Sequence, residues 1–166
     1  MSALLLSDAN VLIDLGIVGG LRLLPLLGNC EVLSTVLLEC QHASQPNLLD
    51  EISAVGIATV EVEWDLIEAA EAYSNALLSL QDRQCLLYAR NRGRMVLTCD
   101  QNLRYAAQGI GVACHDSVWL VEQALATDAF TQTELCGWLN VWPLRRRRLP
   151  KDELQRLRAL IGCAIS

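Results

Sequence analysis

The sequence predicts an α/β protein: a three-layer α/β/α sandwich with a mostly parallel sheet, carrying a C-terminal helical extension. Three observations predict it. Short apolar runs alternate with stretches of helical spacing along most of the chain, which implies right-handed crossovers and a sheet covered on both faces. Hydrophobic residues make up 52% of the chain but include one Phe, so Leu, Val, Ile and Ala must build the core. That composition suits helices packed on a buried sheet better than an aromatic-rich β-sandwich. The length, 166 residues, suits one compact domain with enough buried surface to fold alone.

The elements follow in order. Ala3–Ser7 reads as a buried strand that ends at Asp8 and turns directly into a helix over Ala9–Leu15. Leu21–Leu27 offers a short helix closed by Gly28-Asn29, and Glu31–Ser34 the next strand. Thr35 can cap a helix holding Val36, Leu37, Leu38 and Glu39, and His42–Asp50 reads as a polar break. Thr59–Val62 alternates as an edge strand would, and Asp65–Leu78 has helical spacing. Leu80-Gln81-Asp82 opens a helix that Asn91-Arg92-Gly93 stops. Arg94–Cys99 is a fully buried type of strand ending at Asp100. Asn102–Gln108 is helical, Gly111–Cys114 a last strand, and Asp116-Ser117 caps a helix over Val118–Leu125. Helices over Thr131–Trp142 and Pro150–Ile161 complete the chain. The division is therefore a core over residues 1–126 and a helical extension over 127–166, packed on or extending the same domain.

Charge is unevenly spread. Residues 1–144 carry 6 basic and 17 acidic side chains, net −11, whereas residues 145–166 carry 7 basic and 2 acidic, net +5. The body repels nucleic acid at long range and the tail attracts it. No apolar run is long enough to span a bilayer, and Met1–Ser7 lacks the basic opening of a secretory signal, so a cytoplasmic protein is expected. Seven cysteines without a C-x-x-C pair read as buried free thiols in a reducing compartment. Cys40 with His42, or Cys114 with His115, could begin a zinc site, but no converging second pair has ligand spacing.

Two carboxylates stand directly after buried strands, Asp8 and Asp100. Parallel strands end on one side of a sheet, the edge where open α/β sheets bind ligands. Glu39 lies about a turn beyond the second strand, and Asp82 begins the helix that leads to the Asp100 strand, so all four can converge there. Bare carboxylates at close range repel and raise one another's pKa. A divalent cation removes that problem, and oxygen-only ligands suit Mg²⁺ or Mn²⁺, the metals of assisted phosphodiester hydrolysis. Singly, Asp8, Asp82 and Asp100 are equally explained as helix caps.

The motifs around these residues resemble those of PIN-domain nucleases over about residues 3–126. Ser-Asp-Ala-Asn-Val-Leu-Ile-Asp-Leu at 7–15 is similar to the family's opening motif, and Leu-Ser-Thr-Val-Leu-Leu-Glu at 33–39 to its second. Leu-Gln-Asp-Arg-Gln-Cys-Leu-Leu-Tyr-Ala at 80–89 is similar to the third, and Met-Val-Leu-Thr-Cys-Asp-Gln-Asn-Leu-Arg at 95–104 to the fourth, in the same order and spacing. The resemblance implies an endoribonuclease with Asp8, Glu39, Asp82 and Asp100 as catalytic metal ligands. It implies supporting roles for Asn10, Thr98 and Asn102, and Asp116 either adds a carboxylate or caps its helix. It also implies the toxin of a toxin–antitoxin pair, with RNA as substrate, an antitoxin protein as partner and a homodimer. A PIN module that binds protein or RNA without catalysis is the alternative.

Outside the motifs the readings stay open. Arg83 and Arg104 can touch phosphate or form surface ion pairs. The run Arg145, Arg146, Arg147, Arg148 is an RNA clamp, a dock for an acidic partner, or a solvated turn before Pro150. Trp138 and Trp142 share a helix face that either packs on the domain or forms an interface, while Trp64 and Trp119 read as core or rim.

Overall fold

The computed structural model describes residues 2–41, 44–145 and 149–164. At its centre the strand β1 (Ala3–Ser7) pairs in parallel with β2 (Gly28–Leu33) on one side and β4 (Met95–Leu97) on the other. The edges are β3 (Ala58–Val60) and β5 (Cys114–His115), giving the order β3-β2-β1-β4-β5 with every pairing parallel. Leu5, Leu6, Val32, Leu33, Val96 and Leu97 are fully buried, as strands covered on both faces require. The helices complete the three-layer sandwich expected from the alternation.

The helix α1 (Ala9–Ile17) leaves β1 directly, and α2 (Leu23–Leu27) follows it. Gly28 closes α2 as its C-cap, its N–H donating to the Leu24 carbonyl, and together with Asn29 it also opens β2. A Cβ on Gly28 would meet the Ala3 carbonyl oxygen at 2.1 Å, so a glycine is needed for the two backbones to approach. After β2 the chain forms α3 (Ser34–Leu37) and a single 3-10 turn over Leu38–Cys40. Thr35 is not the cap: its hydroxyl donates to Gln84 Oε1 at 2.6 Å, and Ser34 Oγ accepts from Val62 N. The expected polar break is overtaken by α4 (Leu48–Ala54), because Leu48 and Ile52, four residues apart, bury together. His42 lies outside the described residues.

Next come α5 (Trp64–Ala72), shorter than expected, and α6 (Leu80–Arg92), which ends at Gly93 in the left-handed region. Then α7 (Gln101–Gly109) leads to β5, which begins later than expected because Gly111, at φ +74°, still forms the turn. The chain finishes with α8 (Ser117–Ala126), α9 (Gln132–Leu144) and α10 (Lys151–Ile161). No described helix is long and apolar enough to cross a membrane.

The extension shares the core. Trp138 and Trp142 are each 2% exposed, and the Trp142 indole N–H donates to the Asp14 carbonyl of α1 at 2.9 Å. Trp138 meets Phe130 edge-on and fills the space that Gly20 leaves open. The tryptophan pair is thus packed inside, not offered as an interface. Trp64 departs from the core-or-rim reading at 68% exposure. The cysteine reading is also corrected. Cys136 on α9 and Cys163 beyond α10 form a disulfide, Cys99 is exposed, and Cys30, Cys40 and Cys85 are the buried free thiols. Their separation of 27 residues carries no sequence motif, since only the packing of α9 on α10 brings them together.

Two outcomes test the extension as part of the core. Trp138→Ala should lower unfolding free energy by about 3–5 kcal/mol in urea titrations, the cost of an unfilled aromatic cavity. Cys136→Ser should cost about 3 kcal/mol, the value for a loop of this size. A loss below about 1 kcal/mol in both would show an appendage that the fold does not need.

Candidate active site at the C-terminal edge of the sheet

Asp8 continues β1 past its last residue, its N–H donating to the Leu97 carbonyl of β4 at 3.0 Å. One carboxylate oxygen, Oδ1, accepts from Val11 N at 2.8 Å and starts α1, so the sequence turns from strand to helix at this residue. The side chain is buried at 6% exposure and hydrogen-bonds the Thr98 hydroxyl. The same Thr98 oxygen accepts from the Asp100 N–H at 3.0 Å. Thr98, itself fully buried, therefore ties the ends of β1 and β4 together. Asp100 starts α7 in the same manner, Oδ1 accepting from Leu103 N at 2.8 Å, and stands exposed.

Asp82 reaches the edge from α6. Its Oδ2 accepts from Ser79 N at 3.1 Å while its own N–H donates to Ser79 Oγ, a reciprocal cap. Glu39 sits exposed on the 3-10 turn after α3. Their electrostatics show which acids share a field. Burial pushes Asp8 up to about 7; the Thr98 and Val11 hydrogen bonds oppose the rise, and Asp82 and Asp14 add to it. Glu39 is raised by burial and by Asp82. The Cys85 thiol, buried on α6, is pushed far up by burial and then by Asp8, Asp82 and Glu39 together. Asp8, Asp82 and Glu39 thus all act on the Cys85 thiol, and the backbone of Asp100 is held by the Thr98 hydroxyl that also meets Asp8. Among the described residues, no three His, Cys, Asp or Glu side chains form a ready-made group able to hold a metal ion. The convergence is one of field and hydrogen bonding, not of a closed ligand shell.

Asp100 also lines a cavity of about 630 Å³, shared with Asn10, Asp14, Arg104, Asp116 and Trp142. Asp116 caps α8 through Trp119 N and pairs with Arg104 Nη1 at 3.1 Å. Asn102 stands exposed on the first turn of α7. Arg83 takes neither expected role. Its Nε and Nη2 donate to the Leu78 carbonyl and its Nη1 to that of Ala70, bracing the connection from α5 to α6. Arg145 is exposed beside a smaller cavity near Gly16 and Glu51, and Arg146, Arg147 and Arg148 lie outside the described residues. His115 stacks on Trp119, and burial pushes the Cys40 thiol up to about 12.

The sequence gives Asp14 and Gln84 no role and Ser117 only that of a cap, yet all three are buried polar residues near this edge. A signal for Asp14 exists: it is an acid in an otherwise apolar helix, one turn after Asn10 and on the same face. Gln84 and Ser117 carry none, because only the fold brings them to Thr35 and Cys99.

The raised pKa of Asp8 makes a prediction with a definite sign. Between the ordinary value of 3.8 and about 7, the folded protein holds a proton that the unfolded chain has released. Stability is therefore lost as pH rises through that window, by an amount on the order of 4 kcal/mol at most. Asp8→Asn keeps the cap oxygen and removes the charge. Without divalent metal it should melt higher than wild type at pH 8 and match it near pH 3.5. A melting temperature below wild type at pH 8 would mean that Asp8 is an ordinary structural cap.

No family model matches the chain, and no curated protein or solved structure matches it.

Proposed function

We propose that the protein is a metal-dependent endoribonuclease, hydrolysing RNA phosphodiester bonds at the edge formed by Asp8, Glu39, Asp82 and Asp100. The observation that carries this reading is Asp8: a carboxylate buried at the end of the central strand, in the field of Asp82 and tied through Thr98 to Asp100. A fold gains nothing in stability from a charge so placed, and such sites mark function more often than structure.

The donor set fits a hard divalent cation. All four side chains offer carboxylate oxygen, and a cation would reverse the penalty that burial and Asp82 impose on Asp8. Asp8, Asp82 and Asp100 would hold Mg²⁺ or Mn²⁺, with Glu39 beside them. When bound, such an ion lowers the pKa of a water and stabilises charge on a phosphate. Hydrolysis adds water across the bond between phosphorus and the 3′ oxygen, leaving a 5′ phosphate. Glu39, with its raised affinity for a proton, is suited to accept one from the attacking water. Thr98 fixes the spacing of Asp8 and Asp100. The toxin setting, an antitoxin partner and a homodimer are supported by the motif resemblance.

A non-catalytic module is the second reading. It is favoured by the capping bonds that Asp8, Asp82, Asp100 and Asp116 all make, which give each a structural use. The two separate cleanly. Asp8→Asn and Asp100→Asn should each cut manganese-dependent RNA cleavage by about 100-fold or more, beyond what losing a supporting partner costs. Mn²⁺ should raise the melting temperature of wild type by several degrees and that of Asp8→Asn by much less. A wild-type protein that neither cleaves RNA nor responds to Mn²⁺ would leave the binding module standing.

A further inference from the structure

The cavity beside Asp100 contains a cation to which the hydrolytic reading assigns no task. Among the described lining residues Arg104 is the only positively charged one, and it shares the cavity with the carboxylates of Asp14, Asp100 and Asp116. It lies on α7, four residues after Asp100, the cap of that helix. Its Nη1 is paired with Asp116 Oδ2 at 3.1 Å, with the two side chains 31% and 25% exposed. Its Nε is buried and has no hydrogen-bond partner among the described residues. A guanidinium presents five donors in a fork that matches two phosphate oxygens, and a buried donor left unpaired is costly. Arg104 is therefore held short of its full complement by a single carboxylate, at the rim of an open cavity.

The fold has little need of the pair itself. Asp116 already caps α8 with its other oxygen, and Arg104 caps no helix. The surroundings do need a cation if RNA is to enter. Residues 1–144 are net −11, and a phosphate approaching Asp100 meets three lining carboxylates. The cavity, about 630 Å³, lies within the range of roughly 300–1,000 Å³ that encloses small ligands. Val118, Leu149 and Pro150 give it an apolar wall, and Asn10 and Gln101 supply amides opposite. Such a lining suits the flat face and polar edge of a nucleobase.

We propose that Arg104 is the phosphate-binding residue of this site, exchanging Asp116 for a backbone phosphate of the RNA and seating the adjoining nucleotide in the cavity. The proposal rests on the ribonuclease reading and adds to it the residue that brings the substrate in. Asp116 is then a placeholder for the phosphate, a role distinct from metal ligation.

The test measures binding of a labelled single-stranded RNA, with Ca²⁺ replacing the catalytic metal, through a salt titration. Cleavage kinetics are measured separately with Mn²⁺. Arg104→Gln should weaken binding roughly tenfold and flatten the plot of log affinity against log salt by about one. KM should rise by the same factor while kcat changes much less. Arg104→Lys should fall between the two, keeping charge but not the fork. Asp116→Asn, which retains the cap oxygen, should tighten binding, and most of that gain should vanish in the Arg104→Gln background. Arg90→Gln removes the same charge at the opposite edge of the sheet, beside Gly93 and Met95, and serves as the comparison. Wild-type affinity and salt slope in Arg104→Gln would overturn the proposal, as would an equal loss in Arg90→Gln. If Arg104→Gln fails to fold, the lysine variant and Asp116→Asn decide: wild-type behaviour in both overturns it. A wild-type protein inert toward RNA removes the ribonuclease reading and this one with it. Normal cleavage with an indifferent Arg104 removes this one alone.

Discussion

The burial of one carboxylate governs the rest of the structure. Asp8 stands where the central strand ends, its N–H still in the ladder to Leu97 and its side chain already starting the next helix. That dual use forces the charged group inward, against Thr98 and beneath Asp82, and burial drives its pKa up to about 7. An acidic neighbour such as Asp82 is not a stabilising choice beside a buried carboxylate. The local cost is borne by the surrounding core, in which Val32, Leu33, Val96 and Leu97 of the neighbouring strands are fully buried. Sites that carry such strain are commonly the ones where chemistry is done.

The C-terminal extension is tied into the same region. Trp142 donates to the backbone of Asp14, one helix beyond Asp8, and with Leu149 and Pro150 it lines the cavity that opens beside Asp100. The Cys136–Cys163 bridge and the Arg156 contacts to Glu122 and Glu153 hold α9, α10 and α8 as a unit. Surface ion pairs of this kind contribute little by themselves. The buried indoles contribute far more, and through Trp142 this wall of the cavity is anchored in the core.

Much of this was legible in the sequence because it depends on local pattern. An apolar run ending at Asp8, another ending at Asp100, and the cap at Asp116 all express backbone chemistry within a few residues. What escaped depends on contacts between distant segments. Gly28 is legible as a helix stop, but nothing nearby shows that it also opens β2 with Ala3 pressed against it. The helix α4 was hidden by its polar surroundings, since two leucine-type contacts to α1 and the core outweigh a weak local preference. Arg83 could by position touch phosphate or form an ion pair, yet the backbone carbonyls of Leu78 and Ala70 claim it. The disulfide and the orientation of Trp64 likewise follow from packing alone.

The alternatives of cap and ligand, which the sequence leaves side by side, turn out not to exclude each other. A helix cap uses one carboxylate oxygen: Oδ1 in Asp8, Asp100 and Asp116, and Oδ2 in Asp82. The other oxygen of each is left to face Thr98, Arg104, solvent or an ion, as its position dictates. Capping therefore orients the carboxylate, because a side chain fixed at one oxygen has one direction in which the second can point. The helices that follow β1, β4 and β5 thus begin with Asp8, Asp100 and Asp116 at the same edge of the parallel sheet. The reason lies in the topology: parallel strands must all end on one side, and each following helix must start there. Asparagine at these positions preserves the bond that makes the helix and deletes only the charge. Structure and chemistry are in that sense separable at single atoms, even though one residue serves both.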